Sequence, residues 1–443
     1  HNTLLELVID LYEAGDYAQG ITLAEKWVKQ QNVSRQEDIY PLVYYYIAYG
    51  DQNLHRKENT EQANCYMTMY VTLGENAAAD GCFPHRTEDY IVLKSLAEEY
   101  HLAMAYYYLG CLLYDRRVYD ESIEDYEESI LRSPDFPTVH RNLALAYYNV
   151  KKLPQRAYEE MEKAFALDET DARVYLELDQ LKKRLNVAVK ERWSDMEKHF
   201  DLVESRDDLY LEYVTLLNTL GEPEKALGLI KARKFHQWEG GEGKVAAQYL
   251  TALYQLAKAA VEKEDYAEAK ELLLRAVGEY PHNLGEGKLE SGQENNLYYL
   301  LGLVQEKLGE AKDAFESLTR ACCGESEPVG MMYYNDQPPE MIYYQGLAYR
   351  MLGEEEQAVR RFQKLVDYGR EHIRDDVKID YFAVSLPDLL IFEENLNERN
   401  RKHCLFMMSL GLKGLGRIDE AEKCAEELLA MDNAHQEIRV HDL

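Results

Sequence analysis

Apolar residues recur along most of this chain at the spacing of an amphipathic helix, and the helices so predicted come in pairs. The clearest pair begins at Tyr106, with Tyr-Tyr-Tyr-Leu-Gly ending at Gly110, then Tyr119, Ser122, Tyr126, Ser129 and Pro134. A small residue inside the first helix, here Gly110, lets the second approach; small or aromatic residues on the second pack back, and proline ends the unit. The same frame recurs at Leu253, Ala257, Tyr266, Ala269, Leu273, Ala276 and Pro281, and at Tyr298, Leu301, Gly302, Gly309, Ala314, Leu318 and Ala321. Gly346, Gly353, Ala358 and Phe362 form another unit, as do Leu405, Ser409, Gly416, Ile418, Ala421 and Ala425. At the start, Leu4, Leu7, Leu11, Gly15, Tyr17, Ala24 and Trp27 fall in register. Weaker units cover 138–168 and 208–233, and degenerate ones 36–74 and 172–200.

The repeat length is about 34 residues, and the register resembles that of the tetratricopeptide repeat family over most of the chain. The expected fold is all-α, a right-handed α-solenoid of roughly ten such hairpins. A single hairpin cannot bury its apolar face alone, so stacked neighbours share one continuous core. The organisation expected is 1–233 as partly degenerate repeats and 234–443 as repeats with long loops.

Several connections exceed the few residues a plain array needs: 75–90, 234–244, 282–295, 322–339 and 369–400. The tetrapeptide Gly-Glu-Gly-Lys occurs twice, at 241–244 and 285–288, each ahead of a first helix. Glycines alternating about a charged residue suit a turn whose N–H groups converge on a helix N-terminus, a place for a carboxylate, phosphate or sugar hydroxyl. It is no Walker loop, because Val245 and Leu289 stand where Ser or Thr would bind magnesium. The same residues also make a plain inter-repeat turn with Lys244 and Lys288 paired to local carboxylates. Candidate binding residues here are Trp238, Glu239, Glu242, Lys244, Asn283, Glu286 and Lys288.

Pro338–Pro339 fit a helix start, placing Tyr333, Tyr334, Asn335, Asp336 and Glu340 on the loop that opens it. Aromatic faces beside amides and carboxylates are what a sugar or polar peptide is gripped by. Lys378, Asp380 and Tyr381 add a similar group. Of the 36 tyrosines many stand in pairs, one member packing inward while the next, Tyr107, Tyr299 or Tyr343, faces the concave groove. The plainer reading is that these are packing tyrosines whose hydroxyls reach solvent.

Charge narrows the partners. Lys plus Arg total 50 and Asp plus Glu 81, a net −31, which repels nucleic acid and anionic lipid and leaves a basic or neutral partner open, while the plainer reading is that the acidity keeps a large array soluble. No apolar run reaches the roughly 18 residues of a membrane span. The seven scattered cysteines read as reduced thiols of a cytoplasmic protein, although the chain opens at His1 and not at Met. No zinc spacing and no Gly-x-Ser-x-Gly elbow is present, so no cofactor, metal or catalytic residue is assigned, and the chain by itself reads as non-catalytic. A free-standing peptide adaptor is the alternative, and a glycosidase using Glu239, Glu286, Asp336 or Asp380 a further one.

The phrases Trp-Glu-Gly-Gly-Glu-Gly-Lys (238–244), Asn-Leu-Gly-Glu-Gly-Lys-Leu (283–289), Tyr-Tyr-Asn-Asp-Gln-Pro-Pro-Glu-Met (333–341) and Lys-Ile-Asp-Tyr-Phe-Ala-Val-Ser-Leu-Pro-Asp (378–388) resemble one bacterial family. In it, a β-sandwich domain of the galactose-mutarotase type precedes a long tetratricopeptide region. The resemblance implies a carbohydrate-related setting, a carbohydrate ligand, and a β-sandwich domain of the same protein as docking partner. No alternating strand region occurs in this chain.

Overall fold

The computed structural model describes residues 1–34, 40–55, 61–238, 240–288, 292–330, 336–378 and 391–441, without the side chains of 32–34 and 61–67. Among the described residues all regular structure is helical. Two compact units result, His1–Glu169 and Thr170–Leu443.

The first unit holds α1 (Asn2–Glu13), α2 (Tyr17–Ser34), α3 (Pro41–Leu54), α4 (Glu61–Asn76), α5 (Thr87–Tyr100), α6 (Ala103–Asp115), α7 (Tyr119–Arg132), α8 (Pro137–Asn149) and α9 (Pro154–Leu167). The second holds α10 (Ala172–Arg184), α11 (Val189–Lys198), α12 (Phe200–Ser205), α13 (Asp207–Thr219), α14 (Pro223–Ala232), α15 (Lys244–Glu262), α16 (Tyr266–Val277), α17 (Asn295–Lys307), α18 (Ala311–Ala321), α19 (Pro339–Met351), α20 (Glu355–His372), α21 (Leu396–Gly414), α22 (Ile418–Met431) and α23 (Gln436–His441). Paired in order, with α5, α12 and α23 outside the pairing, they make ten helical hairpins.

The expected approach of the two helices is seen at Gly110. A Cβ there would come within 2.6 Å of the Tyr126 ring, and Ser122 Oγ donates to the Gly110 carbonyl at 2.7 Å. Nine of the hairpins turn through one residue of left-handed backbone: Gly15, Arg117, Lys152, Asn186, Gly221, Glu264, Gly309, Gly353 and Gly416. Their φ values lie between 54° and 83°, where glycine costs nothing and other residues are strained by about 1 kcal/mol. The turn of the remaining hairpin, α3–α4, includes residues outside those described.

Helix starts are satisfied by acids from elsewhere in the fold, since first-turn amides have no partner within their own helix. Glu75 at the end of α4 accepts from the amides of Met104 (3.1 Å) and Ala105 (3.3 Å), and from Tyr45 Oη at 2.6 Å. Asp89, fully buried in α5, accepts from the amides of His85 and Arg86 and from Tyr46 Oη. It thereby closes the connection that opens at 77.

The expected division at 233/234 falls inside the second unit. The last helix, α23, does not extend the stack: it returns to α13, α15 and α19, the first helices of their hairpins. No helix among the described residues is long and apolar enough to cross a membrane.

Candidate functional site

The two glycine turns of the second unit are tied to each other. The amide of Phe235 donates to the carbonyl of Asn283 at 2.8 Å. The Asn283 side-chain amide donates to the carbonyls of Ile230 (2.8 Å) and Arg233 (2.9 Å), and Gln237 Nε2 to the Gly285 carbonyl at 2.8 Å. Gly285, at φ +79°, sits so close that a Cβ would lie 2.8 Å from the Phe235 carbonyl oxygen.

The Glu286 carboxylate then reaches the other turn. It accepts from the amides of Gly243 and Ala246, each at 2.8 Å, at the N-terminus of α15. The anion that the first Gly-Glu-Gly-Lys turn collects is thus supplied by the second. Lys288 is held as well, by the Val277 carbonyl (2.5 Å) and Glu294 (2.8 Å), so its expected pairing with a local carboxylate is present. Replacing Glu286 by Gln removes the charge and one acceptor from the helix start. The expected loss is about 1 kcal/mol of second-unit stability by urea titration. An unchanged midpoint would show that the cap contributes nothing.

Two cavities flank this double turn. One, of about 360 Å³, is lined by His236, Trp238, Glu242, Val245, Leu284 and Glu286. The Trp238 indole lies against Gly241, where a Cβ would overlap the ring. The other, of about 900 Å³, runs past Tyr280, His282, Lys288 and Glu294 to Tyr298 and Arg320 on the α17–α18 hairpin. Arg320 donates to Tyr298 Oη at 3.0 Å, with its guanidinium 5.3 Å from the ring centre. Cys323, at the start of the 322–330 connection, completes that wall, and Asn295 anchors the connection through the carbonyls of Ala321 and Cys323. Gln237, residues 285–288 and Cys323, from three connections, therefore line one cavity of the second unit.

Apart from Lys244, which belongs to the first glycine turn, the other described candidates lie away from the double turn. Lys244 is exposed in the first turn of α15, and Lys378 is exposed beyond α20. Asp336 is half-buried ahead of α19. Glu340, expected on an open loop, is instead 7% exposed in the first turn of α19; burial pushes its carboxyl up to about 8, with Glu437 adding repulsion. Tyr107 and Tyr343, expected to face a groove, are in the core. Tyr107 meets Phe136 edge-on at 4.9 Å, and Tyr343 lies 5.4 Å from Tyr344 and 5.7 Å from Phe362. Tyr107 is covered by Phe136, which lies beyond its own hairpin, and Tyr343 by Phe362 on the second helix of its own. Tyr299 is half-buried, 5.5 Å from Tyr344. Glu239, Tyr333, Tyr334, Asn335, Asp380 and Tyr381 lie outside the described residues.

Sequence reasoning missed Thr215, Thr219, Gln248, Tyr254, Lys258 and Tyr344, which receive α23. The one available signal was the second tyrosine of the pair 343–344, which takes the place assigned to the first.

A model of the tetratricopeptide repeat matches residues 107–172 and 254–328, and a second of the same description matches 340–368. The chain carries tetratricopeptide repeats. Tetratricopeptide repeats are protein–protein interaction modules, which places the chain among interaction proteins. Similar solved structures include Naa15/Naa10 bound to HypK-THB (12% identity, all of this chain against 60% of that one, TM-score 0.34). This chain thus spans about 60% of that one's length. Others are a tetratricopeptide repeat protein from Parabacteroides merdae (14% identity, 69% and 98% covered, TM-score 0.26) and the apo quorum sensor NprR from B. thuringiensis (12% identity, 97% and 98% covered, TM-score 0.27).

Proposed function

We propose that this chain is a non-catalytic adaptor whose second unit grips a cationic segment of a partner protein on the face lined by Gln237, Trp238, Glu242, Tyr280, Glu286 and Tyr298. The observation that carries the reading is the double turn itself. Backbone and side-chain hydrogen bonds fix two loops into one wall, and a pre-formed wall binds without the ordering cost of a loose loop. Its cavities present Trp238, Tyr280 and Tyr298 for contact area, with Glu242 and Glu279 as acids on a chain of net charge −31. A second reading, a glycan laid on the Trp238 ring beside Gln237 and Glu242, is favoured by that aromatic platform next to polar groups.

The test is a titration of the full chain with Lys/Arg-rich peptides and, separately, with mono- and oligosaccharides, following tryptophan fluorescence against a Trp238→Phe control. A saturable change with peptide is expected, lost in the control and weakened by salt. A response to sugar alone would turn the assignment to the glycan. Silence towards both would remove the loop face as a binding site.

A further inference from the structure

The connection that begins at Cys322 is held by side chains of α17 and α19. Asn295 takes the carbonyls of Ala321 and Cys323. Gln345, fully buried on α19, donates through Nε2 to the carbonyls of Cys323 (3.1 Å) and Glu325 (2.8 Å), and its Oε1 accepts from Arg361 Nε at 3.0 Å. Gly324, exposed and at φ +98°, is thereby fixed over a small cradle. A Cβ built on it would have three glutamine atoms as its nearest neighbours: Gln293 Oε1 at 3.4 Å, Gln345 Nε2 at 3.7 Å and Gln337 Oε1 at 3.9 Å. One carbon-sized atom therefore fits there in ordinary contact.

Two of these three glutamines are left incomplete. Gln337, just ahead of α19, is 4% exposed, yet neither its Nε2 nor its Oε1 has a hydrogen-bond partner among the described residues. Gln293 Oε1, also buried, has none either. A buried amide with both ends unpaired lowers stability, so a fold that keeps one leaves its pairing to a group from outside the chain. Gly292 and Cys323, the chain neighbours of Gln293 and Gly324, line the larger cavity described above. The cradle thus lies at the rim of that cavity.

We infer that this cradle is a subsite for a primary carboxamide, the side chain of an asparagine or glutamine in the partner segment, an inference that rests on the face proposed above as the seat of that segment. The inventory of donors and acceptors selects the group. Two oxygens, on Gln293 and Gln337, call for N–H donors, and one nitrogen, on Gln337, calls for an acceptor. An ammonium or guanidinium only donates and leaves the nitrogen unpaired. A carboxylate only accepts and leaves both oxygens, and a main-chain amide has one N–H for the two. A primary carboxamide pairs head to tail with Gln337: its N–H donates to Oε1 and its carbonyl accepts from Nε2. Its second N–H is then left for Gln293 Oε1. Water can meet the same three atoms, so a ligand that displaces it keeps its affinity only by restoring every bond, which makes the subsite selective.

Three Lys/Arg-rich peptides, identical except that their spacer residues are all glutamine, all methionine, or all glutamine methylated on the side-chain nitrogen, test this by calorimetric titration into the full chain. The glutamine peptide is expected to bind about ten-fold more tightly than either of the others, and the preference to vanish in Gln337→Met. That variant should keep its affinity for the methionine peptide. Its urea midpoint should not fall, because the amide removed bonds to nothing in the fold; a fall would show a structural glutamine and overturn the proposal. Gln293→Met, which removes one acceptor, is the second variant and should also reduce the preference. Free L-glutamine bound as tightly as the glutamine peptide would make the cradle a small-molecule site and overturn the assignment to a partner segment. Equal binding of all three peptides overturns this inference alone, whereas silence towards all three overturns the face proposed above and the subsite with it.

Discussion

Replacing Arg192 by Met is expected to destabilise the second unit by about 3–5 kcal/mol. Arg192 on α11 is 1% exposed; its Nε and Nη2 donate to the two Asp179 oxygens on α10 at 3.0 and 2.6 Å, and Nη2 donates to Glu212 on α13 at 2.7 Å. One guanidinium thus ties three helices at the start of the unit. Burial pushes Asp179 up and the Arg192 charge only partly offsets it; burial also acts on Glu212, but Lys183 and Arg192 outweigh it and hold that carboxyl down. Without Arg192, Asp179 is a buried acid left with only the weaker pull of Lys183, and its carboxyl rises further. A carboxyl raised on folding contributes stability that is present below its unfolded value, near 4, and lost as pH climbs through the folded value. The deficit of the variant is therefore smallest near pH 4 and grows toward pH 7. Urea titrations at both pH values, followed by Trp193 fluorescence, measure it. Adding Asp179→Leu to Arg192→Met should recover most of the loss at pH 7, because an apolar pair needs no charge balance. A pH-independent deficit with no recovery would show that Arg192 acts through packing alone.

How far the sequence carried the fold depends on which physical signal each element leaves. Turn glycines marked the hairpins at Gly15, Gly309, Gly353 and Gly416, but the clearest unit turns at Arg117 and another clear one at Glu264, so there the packing positions, Gly110 above all, carried the reading. Where Lys152 or Asn186 takes the same conformation the local pattern looks degenerate, although the hairpin is as regular as the others. Residues 234–244 have the glycines and charges of a linker, but Phe235 and Gln237 bond to Asn283 and Gly285, almost fifty residues away, and no local window contains both partners. The same holds for Glu286: the turn at 241–244 was readable as a place for a carboxylate, whereas the identity of that carboxylate was a matter of tertiary register. Segment 436–441 left least trace. It is too short to show a period, and its histidine is buried only because two tyrosines from different repeats converge on it.

Replacing Phe362 by Ala should cost about 3–5 kcal/mol, the range for emptying a fully buried aromatic site. Phe362 on α20 is 0% exposed, and three glycines make its slot: a Cβ at Gly346 on α19 or at Gly414 on α21 would overlap its ring, and one at Gly411 would lie 2.6 Å from its carbonyl oxygen. Arg350 covers it, with the guanidinium 5.0 Å from the ring centre. The site is built from opposite sides by large and small residues, so the reverse change should hurt too. Gly411→Ala meets backbone that cannot swing aside, and a loss of about 1–3 kcal/mol is expected. In a stack whose stability is a sum of neighbouring interfaces, the damage should pass along α19, which also carries Tyr344 against His441. Hydrogen exchange at 438–441 should therefore quicken in Phe362→Ala while α6 and α7 of the first unit stay unchanged. A loss below about 1 kcal/mol would mean that α19 and α21 close over the gap, and that the three glycines serve something other than this ring.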